Sequence, residues 1–177
     1  MHSYKLNIIV LLIWPLFSTS LLGEKLEFSQ DFDLQVSDDY TLKMIWVDAG
    51  EFMMGSPESE EGRDDDEPLR KVKISKGFWL GQTELTQGQW VAVMKENPSF
   101  FKAGNDFPAE QVSWSMAMDF CTEMNAMQKK IIPPSYHFTL PTEAQWEYAC
   151  RAGTDTAFCY GNDVDSTMLN FDGNYPS

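Results

Sequence analysis

LPTEAQWEYACRAGT, residues 140–154, carries the clearest local pattern in this 177-residue chain. Thr142 and Gln145 stand at the spacing of a capping box, which predicts the start of a helix there. Gly153 predicts the position just beyond the end of that helix. Three residues at helical spacing form an apolar stripe: Trp146, Ala149 and Cys150. The stretch therefore predicts a short amphipathic helix in which Cys150 faces inward.

Two more helices and several strands precede this stretch. Thr86 and Gln89 repeat the capping-box spacing, and Ser113 predicts the start of a longer helix. The inward residues of that longer helix follow at helical spacing: Ala117, Phe120, Cys121 and Met124. Alternating apolar residues predict a hairpin over 43–56 and a second strand pair over 71–85. These antiparallel signals, followed by helices, favour an α+β fold over a parallel βαβ fold.

The first twenty residues have the composition of a leader. Residues 1–20 begin with a weakly basic segment, continue with an apolar run from Leu6 to Phe17, and end on Ser18 and Ser20. This order predicts a secretory signal peptide cut near Ser20, and hence a periplasmic or extracellular protein. A membrane anchor is the alternative, but the apolar run is shorter than the ~20 residues that a spanning helix needs. We expect no stable membrane span after cleavage.

The chain is strongly acidic, with a formal net charge of −14. Nucleic acids and anionic membrane surfaces are recognised through basic surfaces, so neither is expected as a partner. Much of the charge lies in ESEEGRDDDE, residues 58–67. A calcium loop is one interpretation, but the run lacks the ligand spacing of an EF-hand. A solvated surface loop explains it better.

The residues alone give no catalytic constellation. His137 is the only histidine outside the leader, and it lies in an alternating, strand-like stretch. A lone strand histidine is more often a packed or surface residue than part of a nucleophile system. The sequence contains no phosphate-binding glycine motif and no closely spaced cysteine pair typical of zinc sites. Glu143 and Glu147 are four residues apart, but helix-dipole support for Glu143 and solvent exposure for Glu147 account for them.

The chain has three cysteines, so one is left over after any internal pairing. Cys121 and Cys150 both lie on predicted apolar helix faces. Pairing between these two is possible, but sequence alone does not give the distance that a disulfide requires.

Five segments stand in the order and spacing of a known family. They are DAGEFMMGS (48–56), EPLRKVKISKGFWLGQTELTQGQW (67–90), NPSFF (97–101), PAEQVSW (108–114) and LPTEAQWEYACRAGT (140–154). In these segments the chain resembles the formylglycine-generating enzyme, or sulfatase-modifying factor, family over residues 44–176. The resemblance implies a C-type-lectin-like α+β fold with little regular secondary structure. The predicted leader over 1–20 and a lead-in over 21–43 thus precede a partial, C-terminally truncated domain over 44–177.

The resemblance also implies a chemistry and its cofactors. Catalytic members oxidise a sulfatase cysteine to formylglycine with molecular oxygen and a copper ion held by two cysteines of the C-terminal half, and they bind structural calcium. Cys121, Cys150 and Cys159 do not match the copper cysteines, so we expect this chain to be non-catalytic. Instead, Cys121 and Cys150 match positions that pair with downstream cysteines in the sulfatase-modifying enzyme. Asn170 and Phe171 match the start of a calcium site, and the resemblance gives Cys159 no role.

Two functions are therefore expected. The first is an exported, non-catalytic part of a formylglycine-generating-type protein, whose partner is a sulfatase or another exported protein. The alternative is a lectin-like binding or accessory module of the cell envelope. Cooperative unfolding of the mature chain distinguishes these two cases. A third hypothesis is an active oxidase in which a separate chain supplies the missing half, and copper-dependent conversion of a sulfatase-derived cysteine peptide would decide it.

Overall fold

A computed structural model describes residues 12–15, 29–60, 62–132 and 135–161 of the chain. Its strands and helices follow one another in this order: β1 (Leu12–Pro15), β2 (Phe32–Gln35), β3 (Thr41–Val47), β4 (Gly50–Met54), β5 (Arg70–Ile74), β6 (Phe78–Gly81), α1 (Gln87–Met94), α2 (Trp114–Met127), β7 (Tyr136–Thr139) and α3 (Glu143–Arg151). Strands with helices following them confirm the α+β class that the sequence predicts.

The chain divides into two compact units. The first unit comprises residues 1–49 and 75–142, and the second comprises residues 50–74 and 143–177. The chain thus leaves the first unit after β3, builds the β4–β5 pair, and returns through β6. It enters the second unit again with α3. The predicted domain over 44–177 therefore contains parts of both units.

The first unit holds a five-stranded antiparallel sheet in the order β2-β3-β6-β1-β7. Strand β1 lies between β6 and β7, with Ile13 opposite Trp79 on one side and Phe138 on the other. Four residues of the predicted leader thus form an inner strand of this sheet. Cleavage near Ser20 stays a prediction, and its consequence would be to remove this strand.

The expected strands are present, but two predicted pairings are wrong. Strand β3 pairs with β2 and β6, whereas β4 pairs with β5. The stretch 43–56 is therefore not a hairpin, and 71–85 is not a second one. Near the end of β3, Asp31 accepts a hydrogen bond from the Trp46 backbone N–H at 2.9 Å. Strand β3 ends at Val47, and the next strand belongs to the other sheet. Alternation predicts a strand and its two faces, but it does not choose the partner strand.

The core of the first unit lies between its sheet and its two helices. Fifteen buried residues form one cluster: Leu34, Val36, Leu42, Met44, Trp79, Leu85, Trp90, Val93, Ala109, Val112, Ala117, Phe120, Cys121, Met124 and Phe138. The rings of Trp90 on α1 and Phe120 on α2 stack with centroids 5.2 Å apart. The cluster contains all four residues of the predicted inward face of α2, which confirms that prediction. Each large side chain buried here contributes about 1.5–3 kcal/mol.

Two predicted helix starts are also confirmed. Thr86 caps α1: its side chain accepts from the Gln89 N–H, and the Gln89 side chain accepts from the Thr86 N–H at 2.9 Å. Ser113 caps α2 by accepting from the Met116 N–H at 3.2 Å. These bonds satisfy N–H groups that the first turn of a helix leaves without partners.

Helix α3 begins directly after Thr142, and Gly153 beyond its end has a positive φ of 88°, as predicted. The predicted inward stripe is wrong, because Trp146 is 38% exposed and Cys150 is exposed. The helix instead turns Tyr148 toward β4, where its ring lies 5.2 Å from that of Phe52.

Two further features agree with the sequence. Most of the acidic run 58–67 is exposed, as expected for a solvated loop. Among the described residues, no helix is long and apolar enough to cross a membrane.

Candidate functional site

Cys121 is buried inside the first unit. It lies on α2, is 1% exposed and belongs to the core cluster. Burial raises the pKa of its thiol to about 12. The thiolate is the form that attacks disulfides and binds metals, so a thiol held protonated in an apolar core is inert. Cys121 therefore packs as a small apolar residue.

Cys150 lies near the end of α3 in the second unit, and Cys159 follows it in the same unit. Both are exposed free thiols. Burial raises the pKa of Cys150, and the charge of Cys159 and a hydrogen bond with it raise this pKa further, while the Arg151 charge opposes the shift. The sequence assigned no role to Cys159. Cys121 and Cys150 are both free thiols in the structure. Their pairing with downstream cysteines, which the resemblance implies, stays a prediction.

A hydrogen-bonded network supports this end of α3. Arg151 pairs through Nε with Glu147 Oε1 at 2.8 Å and donates from Nη2 to the Gly55 carbonyl at 2.9 Å. Glu147 also accepts from the Gly55 N–H at 2.9 Å. The sequence interpretation of Glu147 as simply solvent-exposed is therefore wrong, because its carboxylate is partly buried and doubly bonded. Glu143 is exposed in the first turn, where a negative charge favours the helix.

The same arginine holds the segment that carries Cys159. Its Nη1 donates to the Thr156 carbonyl at 3.2 Å. Phe158 and Gly161 then exchange backbone hydrogen bonds of 2.9 and 3.0 Å, which places Cys159 and Tyr160 at the tip of a tight turn. The turn follows the end of α3 and carries Cys159 in an exposed position.

A second candidate feature is the aromatic loop of the first unit, defined here as residues 97–110. It exposes Phe100 by 74%, Phe101 by 67% and Phe107 by 52%. The rings of Phe100 and Phe101 meet edge to face with centroids 5.0 Å apart. Large apolar side chains exposed together in this way are typical of interaction surfaces.

Buried polar groups fix the backbone of the aromatic loop. Gln87, which is buried, donates to the carbonyls of Phe101 at 2.8 Å and Pro108 at 3.2 Å, and it accepts from Asn97 Nδ2 at 2.9 Å. Glu110 accepts from the Phe101 N–H at 2.7 Å. Because the loop is held in place while its phenylalanines face solvent, it presents a preformed apolar surface.

His137 is half-buried in the structure. It lies on β7, and its Nδ1 is buried without a hydrogen-bond partner in the part of the chain that is described. Within the described residues, no carboxylate therefore bonds to Nδ1 to orient the ring.

The resemblance implies two metals, copper and calcium. Residues 12–15, 29–60, 62–132 and 135–161 contain no group of three or more His, Cys, Asp or Glu that could hold a metal ion. Cys121 stays protonated in the core, which does not suit a copper ligand. The predicted calcium ligands Asn170 and Phe171 lie outside the described residues, so that site stays a prediction.

Comparison of the sequence with family models identifies the family of the chain. A family model described as "Sulfatase-modifying factor enzyme 1-like domain" matches residues 33–177. The chain belongs to this family. The match begins inside β2, so the predicted lead-in over 21–43 contributes a strand to the domain that the family shares.

Individual relatives agree with this assignment. The chain is 29% identical over 147 residues to "Chaperone protein LppX" of Paenibacillus barcinonensis, an alignment covering 67% of this chain and 47% of the relative. The chain thus spans about half the length of that curated relative.

Two solved structures share the fold. Treponema denticola variable protein 1 matches with a TM-score of 0.60 and 22% identity, over 72% of this chain and 59% of its own. PvdO from Pseudomonas aeruginosa matches with a TM-score of 0.61 and 22% identity, over 82% of this chain and 57% of its own. At these identities the likeness concerns the fold, and it confirms the predicted family architecture.

Proposed function

We propose that this member of the sulfatase-modifying factor family is an exported, non-catalytic accessory module that binds another exported protein. The observation that carries this proposal is the aromatic loop, in which three exposed phenylalanines stand on a backbone fixed by Gln87 and Glu110. Aromatic residues, phenylalanine among them, are enriched at the cores of protein interfaces, where a few buried side chains carry most of the binding energy. A mature chain with a strongly acidic surface also fits a protein partner better than a nucleic acid.

The state of the cysteines supports a non-catalytic role for the described residues. None of the three cysteines matches the copper cysteines that the resemblance implies, and burial keeps the Cys121 thiol protonated, with a pKa of about 12. The name of the LppX relative, a chaperone protein, agrees with a role in handling other proteins. We take a sulfatase or another exported protein as the partner class.

The binding proposal can be tested with an unfolded exported sulfatase as the client. The purified chain is added while the client is diluted out of denaturant, and light scattering records its aggregation. We expect the chain to suppress aggregation, and the double variant Phe100→Ser/Phe101→Ser to lose most of that effect. Ile131→Ser is the matched control, because Ile131 is also exposed in the first unit but lies outside the aromatic loop. Equal suppression by the double variant and the control would refute the role of the loop.

The non-catalytic part needs its own assay. The chain, loaded with copper(I) under oxygen, is incubated with a sulfatase-derived cysteine peptide, and mass spectrometry follows the peptide. We expect the peptide cysteine to remain unchanged. Appearance of the formylglycine product would overturn this part of the proposal and leave the binding result unaffected.

Export rests on the leader composition of residues 1–20. We expect the chain recovered from the periplasm or medium of an expressing bacterium to lack these residues. Intact-mass measurement decides the point, since a chain that retains Met1 in the cell would contradict export with cleavage.

A further inference from the structure

Strand β1 fills a slot one strand wide between β6 and β7 in the first unit. It runs antiparallel to both neighbours, with Leu12 opposite Leu80 on β6 and Thr139 on β7. Neighbouring strands lie about 4.8 Å apart, so β6 and β7 stand about two such spacings from each other. Because β1 belongs to the predicted leader, cleavage near Ser20 takes this strand out of the slot.

The wall formed by β7 is held by contacts that do not involve β1. The side chain of Asn125 on α2 accepts from the Phe138 N–H at 2.7 Å and donates to the Phe138 carbonyl at 3.0 Å. Phe138 is also 1% exposed and belongs to the core cluster. Asn125 thus binds the outer edge of β7 as a neighbouring strand would. Since successive residues of a strand direct their N–H and C=O groups to opposite sides, those of His137 and Thr139 face the slot.

The wall formed by β6 has supports of its own. All four residues of β6, Phe78–Gly81, pair with β3. The indole Nε1 of Trp79 donates to the Gln30 carbonyl at 2.9 Å. The rings of Trp79 on β6 and Tyr136 on β7 meet with centroids 5.3 Å apart. The two walls therefore touch through these rings while β3 and α2 hold their backbones, so the slot keeps its width when β1 leaves.

The chemistry of the walls selects an uncharged, apolar segment. Their sequences, FWLG (78–81) and YHFT (136–139), contain no Asp, Glu, Lys or Arg. Trp79 and Phe138 lie opposite the same position of the inserted strand, and both belong to the core cluster. Opposite residues of antiparallel strands share a face, so an apolar side chain at that position extends the core and a charge there would be buried without a partner. The segment that the structure seats in the slot, LIWP (12–15), is itself uncharged and apolar.

We propose that the slot between β6 and β7 is a docking site for an extended, apolar segment of an exported client protein, and that β1 occupies it until the leader is removed. This inference rests on the proposed function, which supplies leader cleavage and a protein client. Binding is by strand addition: main-chain hydrogen bonds to both walls give affinity, and the position over the core gives specificity. Unfolded chains expose such segments and folded chains bury them, so the opened slot favours unfolded clients.

The test uses the full chain and two peptides. The probe is the leader segment VLLIWPLF (10–17) with a fluorescent label and an uncharged ethylene-glycol tail, and the control is the same peptide N-methylated at Ile13. Gln82 donates to the Lys43 carbonyl beside β6 at 2.9 Å, so by alternation the backbone groups of Trp79 face the slot, opposite Ile13. The methyl group therefore removes a donor directed at β6 and leaves the apolar composition nearly unchanged.

A full-chain variant, Ile13→Pro, opens the slot, because proline has no N–H to donate and is not accommodated in an inner strand. Fluorescence anisotropy measures binding of the peptides to this variant and to wild type. We expect the probe to bind Ile13→Pro at least about tenfold more tightly than wild type, in which the tethered β1 competes at high effective concentration. The N-methylated peptide should bind the variant at least about tenfold more weakly than the probe does.

The result is decisive whether or not the variant folds unaided. If Ile13→Pro loses its circular dichroism signal, the probe should restore it, because the peptide replaces the missing strand. Equal affinities of the two peptides would show apolar adhesion without strand pairing and would overturn the proposal. So would equal binding of the probe to wild type and variant, or a variant that the probe neither binds nor restores.

A photoreactive leucine in place of Leu12 of the probe locates the bound peptide. After irradiation and tryptic digestion, we expect mass spectrometry to find the crosslinks within 78–81 and 136–139. Crosslinks within the aromatic loop, residues 97–110, would place the peptide on another surface and refute the slot. Size-exclusion chromatography tests a second copy as the occupant: a dimer of Ile13→Pro that the probe does not dissociate would refute the client.

These outcomes are separable from those of the proposed function. Suppression of client aggregation without probe binding would retain the accessory role and reject the slot. Probe binding at the two walls without suppression of aggregation would uphold the slot and count against the accessory role.

Discussion

Arg151 donates from Nη2 to the carbonyl oxygen of Gly55 at 2.9 Å, although 96 positions separate the two residues. Glu147 accepts from the N–H of the same glycine, so both polar groups of Gly55 are bound from one turn of α3. Gly55 has a φ of 88°, and a Cβ there would lie 2.7 Å from the Pro68 carbonyl oxygen. Only glycine fits this approach, and the pair links the end of β4 to α3.

Replacement of the arginine should therefore destabilise the second unit. We expect Arg151→Met to lower the free energy of unfolding by about 2–3 kcal/mol, because three hydrogen bonds from a partly buried charge are lost. Urea titration followed by circular dichroism measures the change. The matched control is Lys71→Met, which removes the ion pair with Glu51 at 2.6 Å on an exposed strand. Exposed pairs contribute little, so a loss as large as that of Arg151→Met would refute the argument.

A second prediction concerns Gly88 inside α1. Alanine normally favours a helix over glycine by about 1 kcal/mol. Here a Cβ on Gly88 would lie 2.4 Å from Cε1 of the Tyr40 ring, which packs against the core. We therefore expect Gly88→Ala to destabilise the chain by about 1–3 kcal/mol, as overpacking does.

Removal of the ring should reverse the sign of that effect. In the Tyr40→Ala background, Gly88→Ala is expected to be neutral or to stabilise by about 0.5–1 kcal/mol. Urea titration of the four proteins of this double-mutant cycle gives the coupling between the two residues. Equal effects of Gly88→Ala in both backgrounds would show that the tyrosine ring is not the cause.

The parts of the fold that the sequence predicts are those set by local rules. The Thr86 and Ser113 caps and the inward face of α2 depend on spacing within one helix, and all were predicted correctly. Strand pairing was not, since β3 and β4 are close in sequence but join different sheets. The pairing of β3 depends on β6, which begins more than twenty residues further along the chain.

The candidate site was harder to predict for the same reason. The apolar stripe of α3 predicted that Cys150 faces inward. The helix face toward β4 is instead fixed by Tyr148 and Arg151, whose polar atoms a hydropathy pattern does not identify as inward-facing. The neighbourhood of Cys159 depends on a turn closed after it by Gly161. The NPSFF segment indicated the family, but the sequence does not show that its two phenylalanines are exposed. Their exposure depends on a loop backbone that the buried side chain of Gln87 holds by hydrogen bonds.

The position of β1 gives a third prediction. Because β1 pairs with both β6 and β7, a chain lacking residues 1–20 leaves backbone groups of these two strands without that neighbour. We expect faster hydrogen exchange in β6 and β7 of residues 21–177 than in the full chain. Mass spectrometry of peptides from these strands measures it, with peptides of α2 as the internal control. Unchanged exchange in both strands would show that β1 adds no protection to the sheet.

A fourth prediction follows from the Cys121 thiol. Its pKa is about 12 in the folded chain against an ordinary value of 9.0, mainly because burial disfavours the thiolate. The folded state thus keeps a proton that the unfolded state loses. The resulting stability is fully present below about pH 9 and is lost as pH rises toward about 12. The slope reaches at most about 1.4 kcal/mol for each pH unit.

Burial also raises the pKa of Tyr136, so the wild-type slope alone does not isolate Cys121. The measurement is therefore the difference between wild type and Cys121→Ala in urea midpoints, under reducing conditions, from about pH 8 to about pH 11. We expect Cys121→Ala to lose less stability than wild type over this range, whatever its stability at neutral pH. Val112→Ala is the control: it trims the same core without removing a titrating group, so its slope should match wild type. If Cys121→Ala and Val112→Ala lose stability in parallel, the thiol is not held protonated by the core.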